Sequence, residues 1–257
     1  MPHAFLLVVC GVLGLVVGSF LNVVVWRVPR HESIVSPGSH CPSCDTELGA
    51  IENVPVLSWR VLRGRCRHCG NRISARYPLV ELLTAALWVG LAQRFGATWE
   101  LPPYLVLAAG LVALSLIDLD HFLLPNRVLY PTGFLMAGLF VIPALVDSQG
   151  NDYARGVFGG AAAFAVFFVI HVVSPRGMGF GDVRLSFVLG FALGWLSWGH
   201  VYLGLFLGFL LGAVVGTLLI AVGLRSRKDH VPFGPFLAAG AMVAIYFGTQ
   251  LLDLVKR

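Results

Sequence analysis

Long apolar runs joined by short polar segments dominate the chain. They cover Ala4 to Trp26, Pro78 to Ala92, Leu101 to Leu119, Val128 to Val146, Gly156 to Val173, Leu185 to Trp198, Val201 to Gly223 and Pro232 to Leu251. A helix rises ~1.5 Å per residue, so runs approaching 20 residues cross a hydrocarbon layer of ~30 Å. The pattern predicts an all-α polytopic membrane protein of about eight transmembrane helices. The first run has no basic stretch before it, exceeds a secretory h-region in length and lacks a clear cleavage site, which marks it as a retained span rather than a signal peptide.

Composition agrees: 57% of the 257 residues are hydrophobic and 12% are charged, and the mean hydropathy of +0.82 exceeds that of ordinary soluble domains. The distribution of charge adds an orientation. With the N-terminus outside, the cytoplasmic segments hold Arg27 to Arg76, Arg127, Arg176, Arg184, Arg225, Arg227 and Lys228, together 14 of the 18 basic residues, and the outside keeps Arg94, Arg155, Lys256 and Arg257. Basic residues are retained on the cytoplasmic side, so topology accounts for the net charge of +5. No nucleic-acid motif accompanies it, and the expected partner is the lipid bilayer.

Residues 27–77 form the one sizeable polar segment. It carries "CPSC" (Cys41, Cys44) and "CRHCG" (Cys66, Cys69), two Cys-x-x-Cys knuckles separated by 21 residues. Each knuckle turns two sulfurs to one side, and two knuckles close a tetrahedron that suits structural Zn2+. A reducing cytoplasm disfavours disulfides between such thiols. Four thiolates leave no open coordination position, so the role of the metal is architectural, and in a loop with few large apolar residues it supplies much of the folding energy. His68 reads as a solvated side chain, and Cys10, within the first run, as a small buried hydrophobe.

Four acids, Glu81, Asp118, Asp120 and Asp182, lie within apolar runs or at their mouths. Each costs at least ~2.5 kcal/mol to place there and calls for a reason. Asp118 ends the third span and Asp182 opens the sixth, at the same cytoplasmic edge. Two carboxylates sharing a site of low dielectric hold one proton between them, the arrangement that activates water and protonates a leaving amine in aspartic peptide hydrolysis. Side chains two apart on a helix diverge by roughly 200°, so Asp118 and Asp120 cannot both face Asp182; Asp118 is the deeper one. Glu81 reads as a helix N-terminal acid favoured by the macrodipole.

Asp182 is preceded by Gly177, Gly179 and Gly181 in "GMGFGD". Glycine tolerates positive φ and close backbone approach, and irregular backbone at membrane depth survives only beside protein or water. The three glycines therefore predict a wet recess next to the acid. Gly204, Gly208, Gly212 and Gly216, four apart, form one stripe for close helix packing.

The ordered set "GSFLNVVVWRVPR", "CPSC", "CRHCG", "ISARYPLVELLTA", "IDLDHFLLPN", "GMGFGD" and "VPFGPFLAAGA" resembles the prepilin peptidase family, the type IV leader peptidases, over almost the whole chain. The resemblance implies an intramembrane aspartic endopeptidase of the Gly-x-Gly-Asp type, with Asp118 and Asp182 on its catalytic positions. It implies cleavage of the basic leader from type IV prepilins and type II secretion pseudopilins at the cytoplasmic face of the bacterial inner membrane. It further implies methylation of the new N-terminus with S-adenosylmethionine, the form that carries the cysteine loop. Family members often have Lys where this chain has Arg184, and the two are not interchangeable in geometry. The expected organisation is a first helix (1–26), the cysteine loop (27–77) and a membrane-embedded peptidase domain (78–257). The competing readings are a proton-coupled transporter, which calls for inverted repeats and charges near the midplane, and a non-catalytic zinc-bearing scaffold.

Overall fold

The structure, a computed structural model, describes residues 3–41, 43–49, 51–175, 177–224 and 231–255. Arg176, Arg225, Arg227, Lys228, Lys256 and Arg257, which enter the charge balance, lie outside the described residues. Among the described residues there are nine α-helices: α1 (His3–Arg27), α2 (Leu57–Val61), α3 (Arg76–Phe95), α4 (Leu101–His121), α5 (Asn126–Val146), α6 (Gly150–Val173), α7 (Phe180–Leu196), α8 (Trp198–Ala221) and α9 (Gly234–Val255). All but α2 coincide with the eight expected spans. Six of them, α1, α4, α5, α6, α8 and α9, are long and apolar enough to cross a membrane. The other two differ for separate reasons: α3 carries Arg76, Glu81 and Arg94, and α7 has 17 residues, most of them buried against protein.

The chain divides into two compact units, one up to Leu101 and one from Pro102. In the first, α1 lies along α3 at backbone distance: a Cβ on Gly18 would come within 2.6 Å of the Glu81 Cα. At the end of α1, the buried Arg27 guanidinium donates to the carbonyls of Ser33 (3.0 Å), Pro37 (2.8 Å) and Gly38 (3.0 Å). One side chain thus folds the start of the polar loop back over the helix terminus, where a cation is favoured and helix carbonyls end.

In the second unit, α7 is the central helix. It starts at Phe180, five residues before the apolar run suggests, because Gly179 takes an extended conformation (φ −69°, ψ 147°) and Asp182 supports the first turn. α6 packs against it almost without side chains between them: a Cβ on Gly159 would meet the Gly190 carbonyl at 2.7 Å, and one on Gly190 would meet the Gly159 carbonyl at 2.5 Å. On another side the Tyr104 hydroxyl of α4 donates to the Ala192 carbonyl at 2.8 Å, and Phe140 of α5 stacks on Trp195 at 4.4 Å. Arg155 closes the far end, donating to the carbonyls of Gly194 (2.7 Å), Trp195 and Leu196 (3.1 Å) while paired with Asp152 at 2.7 Å. Ser197 breaks the chain between α7 and α8, its hydroxyl capping α8 through the His200 N–H at 3.2 Å.

The glycine stripe of α8 packs as expected over half its length. Gly204 and Gly208 abut α9 at Gly240, Gly212 faces the Phe233 ring, and Gly216 meets open space. The outer side of the same helix presents Tyr202, Phe206, Leu210 and Leu218, the apolar exterior of a lipid-facing helix.

Candidate active site and metal centre

The four loop cysteines come together. Their sulfurs all lie within 4.8 Å of one another, with Cys41 to Cys69 at 3.8 Å and Cys44 to Cys66 at 4.0 Å. A tetrahedral zinc with Zn–S bonds of ~2.3 Å sets its sulfurs ~3.8 Å apart, so the donor set fits such a metal. The two knuckles are built alike. The Cys41 N–H donates to the Thr46 carbonyl (2.9 Å) and Asp45 N–H to Cys41 (2.9 Å), while Cys66 N–H donates to Asn71 (2.8 Å) and Gly70 N–H to Cys66 (3.0 Å). Each is closed by a two-residue bridge, His40 with Glu47 and Arg65 with Arg72. Each turns on one left-handed residue after the second cysteine, Asp45 (φ 58°) and Gly70 (φ 73°).

This backbone prepares thiolates. Hydrogen bonds from the Thr46 side chain and backbone hold the Cys44 thiol down to about 6. The Cys69 and His68 backbone N–H groups lower Cys66. Cys69, although it receives the Asn71 N–H, is pushed up to about 11 by desolvation and the three sulfurs beside it. Four sulfurs this close do not all ionise without a cation among them. His68 is exposed and sits 3.5 Å from Glu52, and Cys10 is buried in α1.

Glu81 differs from its expected place. α3 begins at Arg76, so Glu81 lies in the second turn, buried, and its Oε2 accepts the Val56 N–H at 2.7 Å. Ser19 bonds the same carboxylate. Val56 has φ 61°, an unfavourable conformation for a β-branched residue. The acid therefore ties the returning loop to the helix pair rather than compensating a helix dipole.

In the second unit Asp118 and Asp182 are both buried, at 5% and 8% exposure, while Asp120 is exposed. The helical divergence of Asp118 from Asp120 thus takes effect as expected. Asp118 and Asp182 lie within direct charge–charge range of one another. Each uses Oδ2 to accept one backbone N–H, from Gly234 at 3.0 Å for Asp118 and from Gly179 at 3.2 Å for Asp182; among the described residues these are the only hydrogen bonds to either carboxylate. Leu124 stands between the two helix starts: a Cβ on Gly181 would meet its Cβ at 3.0 Å, and one on Gly234 its Cδ2 at 3.2 Å.

Gly177, Gly179 and Gly181 do not take positive φ. They leave space instead. Added Cβ atoms would meet Ser174 Oγ at 2.8 Å, Asp182 Oδ2 at 3.3 Å and Leu124 respectively. Arg184 donates to Asn126 Oδ1 at 2.6 Å and lies over the Phe180 ring at 4.6 Å, so its guanidinium braces α7 against the start of α5. Gly234 and Leu124 are the site residues that sequence reasoning passed over. Their signal is present, a glycine opening the last span and a leucine in the turn after Asp118, but neither side chain carries chemistry of its own.

Residues 12–95 match the model of the bacterial peptidase A24 N-terminal domain, and residues 105–221 match that of the type IV leader peptidase family. Among similar proteins, a prepilin leader peptidase/N-methyltransferase of Stutzerimonas stutzeri is 36% identical over 97% of this chain and 93% of its own length. One of the same name from Bacillus subtilis is 35% identical over 94% of each chain, and one from Myxococcus xanthus is 46% identical over 81% of this chain and 62% of its own. No solved structure matches the chain. With two family models side by side along the sequence and relatives alike from end to end, the chain belongs to the type IV leader peptidase family.

Proposed function

We propose that this protein removes the basic leader from type IV prepilins or type II secretion pseudopilins and methylates the N-terminus so exposed. The observation that carries the first activity is the pair of buried carboxylates, Asp118 and Asp182, brought from two helices into charge–charge range. The ionised member of the pair takes a proton from water as its oxygen attacks the scissile carbonyl. The protonated member gives its proton to the departing amine as the C–N bond breaks, leaving a carboxyl group on the leader and a free amine on the pilin. Gly177 and Gly179, exposed and without side chains, leave one flank of Asp182 open to a peptide. The substrate's own apolar helix enters from the bilayer.

Supporting the second activity are the family membership and the four-sulfur centre in the loop. Zinc held by Cys41, Cys44, Cys66 and Cys69 orders that loop, and the methyl donor is S-adenosylmethionine. When bound, that donor would supply a methyl group from its sulfonium to the new amine, which would lose a proton. We assign the chain to the bacterial inner membrane with the N-terminus outside and the loop and both aspartates at the cytoplasmic side, on the distribution of Lys and Arg. The proposed division is a first helix (1–26), the metal loop (27–77) and the peptidase domain (78–257). Incubation of the reconstituted protein with a prepilin and methyl-labelled S-adenosylmethionine tests both activities, scoring leader loss and label transfer separately. A transporter or a scaffold yields neither.

A further inference from the structure

One peptide group beside Asp182 is hydrogen-bonded on both edges. The Met178 carbonyl meets His171 Nδ1 at 2.8 Å, and the N–H of the same peptide unit, belonging to Gly179, donates to Asp182 Oδ2 at 3.2 Å. A carbonyl oxygen only accepts, so His171 Nδ1 carries the proton and the tautomer is determined by the contact. The peptide is planar with its C=O and N–H opposed, so fixing the direction of one edge fixes that of the other.

His171 is well placed to do this. It sits in the last turn of α6, whose backbone contact with α7 was described above, and its ring packs on Phe180 with centroids 5.5 Å apart. Met178 is buried between two exposed glycines. Rotation of the Met178–Gly179 peptide turns on ψ of Met178 and φ of Gly179, and the glycine offers little steric resistance. The imidazole is the contact that holds the carbonyl edge of this plane. By polarising the carbonyl it also strengthens the N–H on the opposite edge, as linked hydrogen bonds do.

We infer that His171 is a positioning residue for Asp182, acting through the Met178–Gly179 peptide. It acts by holding the N–H that aims the carboxylate. The inference rests on the peptidase reading of Asp182 for its consequence, and on the geometry alone for the linkage.

Three variants separate the hydrogen bond from the ring. His171→Phe keeps the ring and its packing but has no donor. His171→Asn places an amide N–H at the same bond count from Cβ as Nδ1, and His171→Gln places it one atom further. With a reconstituted full chain and a prepilin, His171→Phe and His171→Gln are expected to lower kcat by about 10- to 100-fold with KM unchanged, the cost of a misaimed group, and His171→Asn to restore most of it. Amide hydrogen exchange over residues 177–182 is expected to quicken in the Phe and Gln variants and not in Asn. Unchanged kcat in His171→Phe overturns the positioning role, as does an Asn variant that falls with Phe. Unchanged exchange in Phe overturns the linkage itself. Should the unmodified protein cleave no prepilin, the peptidase reading fails, and the exchange measurement still decides whether His171 holds the peptide.

Discussion

The Gly234 N–H donates to Asp118 Oδ2 at 3.0 Å across 116 residues of sequence, so the start of the last helix holds an acid at the end of the fourth. A Cβ at this glycine would stand 2.8 Å from that oxygen and 3.2 Å from Leu124. Gly234→Ala therefore displaces the carboxylate while leaving the chain folded. Cleavage of a prepilin is expected to fall by about 10²-fold, the cost of a ~1 Å misplacement, with expression and thermal unfolding close to those of the unmodified protein.

On the proposed mechanism, replacing either acid removes a proton carrier without changing shape. Asp118→Asn and Asp182→Asn are each expected to lower cleavage by at least ~10²–10⁴-fold. Methylation of a pilin supplied without its leader should persist, because the four-sulfur loop is untouched. Cleavage by Asp118→Asn at the unmodified rate, with normal expression, would falsify the assignment.

Much of this site was legible in the sequence because its chemistry is rare in an apolar chain. Asp118 and Asp182 stand out by the cost of placing them, and Cys41, Cys44, Cys66 and Cys69 by spacing. What escaped was contributed by backbone. Gly179 and Gly234 act through N–H groups, which every residue but proline possesses, and Leu124 acts only by filling space. Glu81 reads from sequence as a helix-start acid because its partner, the Val56 N–H, is 25 residues away and in a conformation that no local pattern announces. The span borders shifted for a similar reason: polar residues such as Asp182 join a helix when their side chains satisfy its first turn.

The loop should depend on its metal. Cys66→Ser is expected to abolish stoichiometric zinc, and a chelator to release it from the unmodified protein, with loss of ordered structure over the loop and loss of methyl transfer. Structural zinc supplies an apparent ~10–16 kcal/mol in small domains. Leader cleavage should survive, since both aspartates belong to the other unit. Metal analysis that finds no zinc or other ion in the purified protein would rule the centre out.

Metal uptake should also follow pH with a definite sign. The fold lowers the Cys44 thiol from an ordinary 9.0 to about 6, so its contribution is full above about 9 and is lost as pH falls through about 6. Zinc affinity of the metal-free protein, measured against a competing chelator from pH 5 to 8, is expected to climb steeply up to about 6 and less steeply beyond. A slope constant across that range contradicts the early ionisation of Cys44.

Side chains added between α6 and α7 should be costly. Gly190→Leu drives a branched group into the Gly159 carbonyl and Ala163, and overpacking of this kind costs ~1–3 kcal/mol, occasionally more. The expected result is a lower unfolding temperature together with loss of cleavage. Leu at Gly216, where nothing lies within 4 Å of an added Cβ, should leave both unaffected.

Where α6 and α7 meet at Gly159 and Gly190, backbone touches backbone and leaves little side-chain freedom to absorb a sliding motion. The α6–α7 pair therefore behaves as a single plate, and His171 and Asp182 travel together on it. A substrate that moves the two aspartates apart does so against the partner that carries Asp118. The hinge of this enzyme is then to be sought around α4 and the first turn of α9, and the plate serves as its anvil.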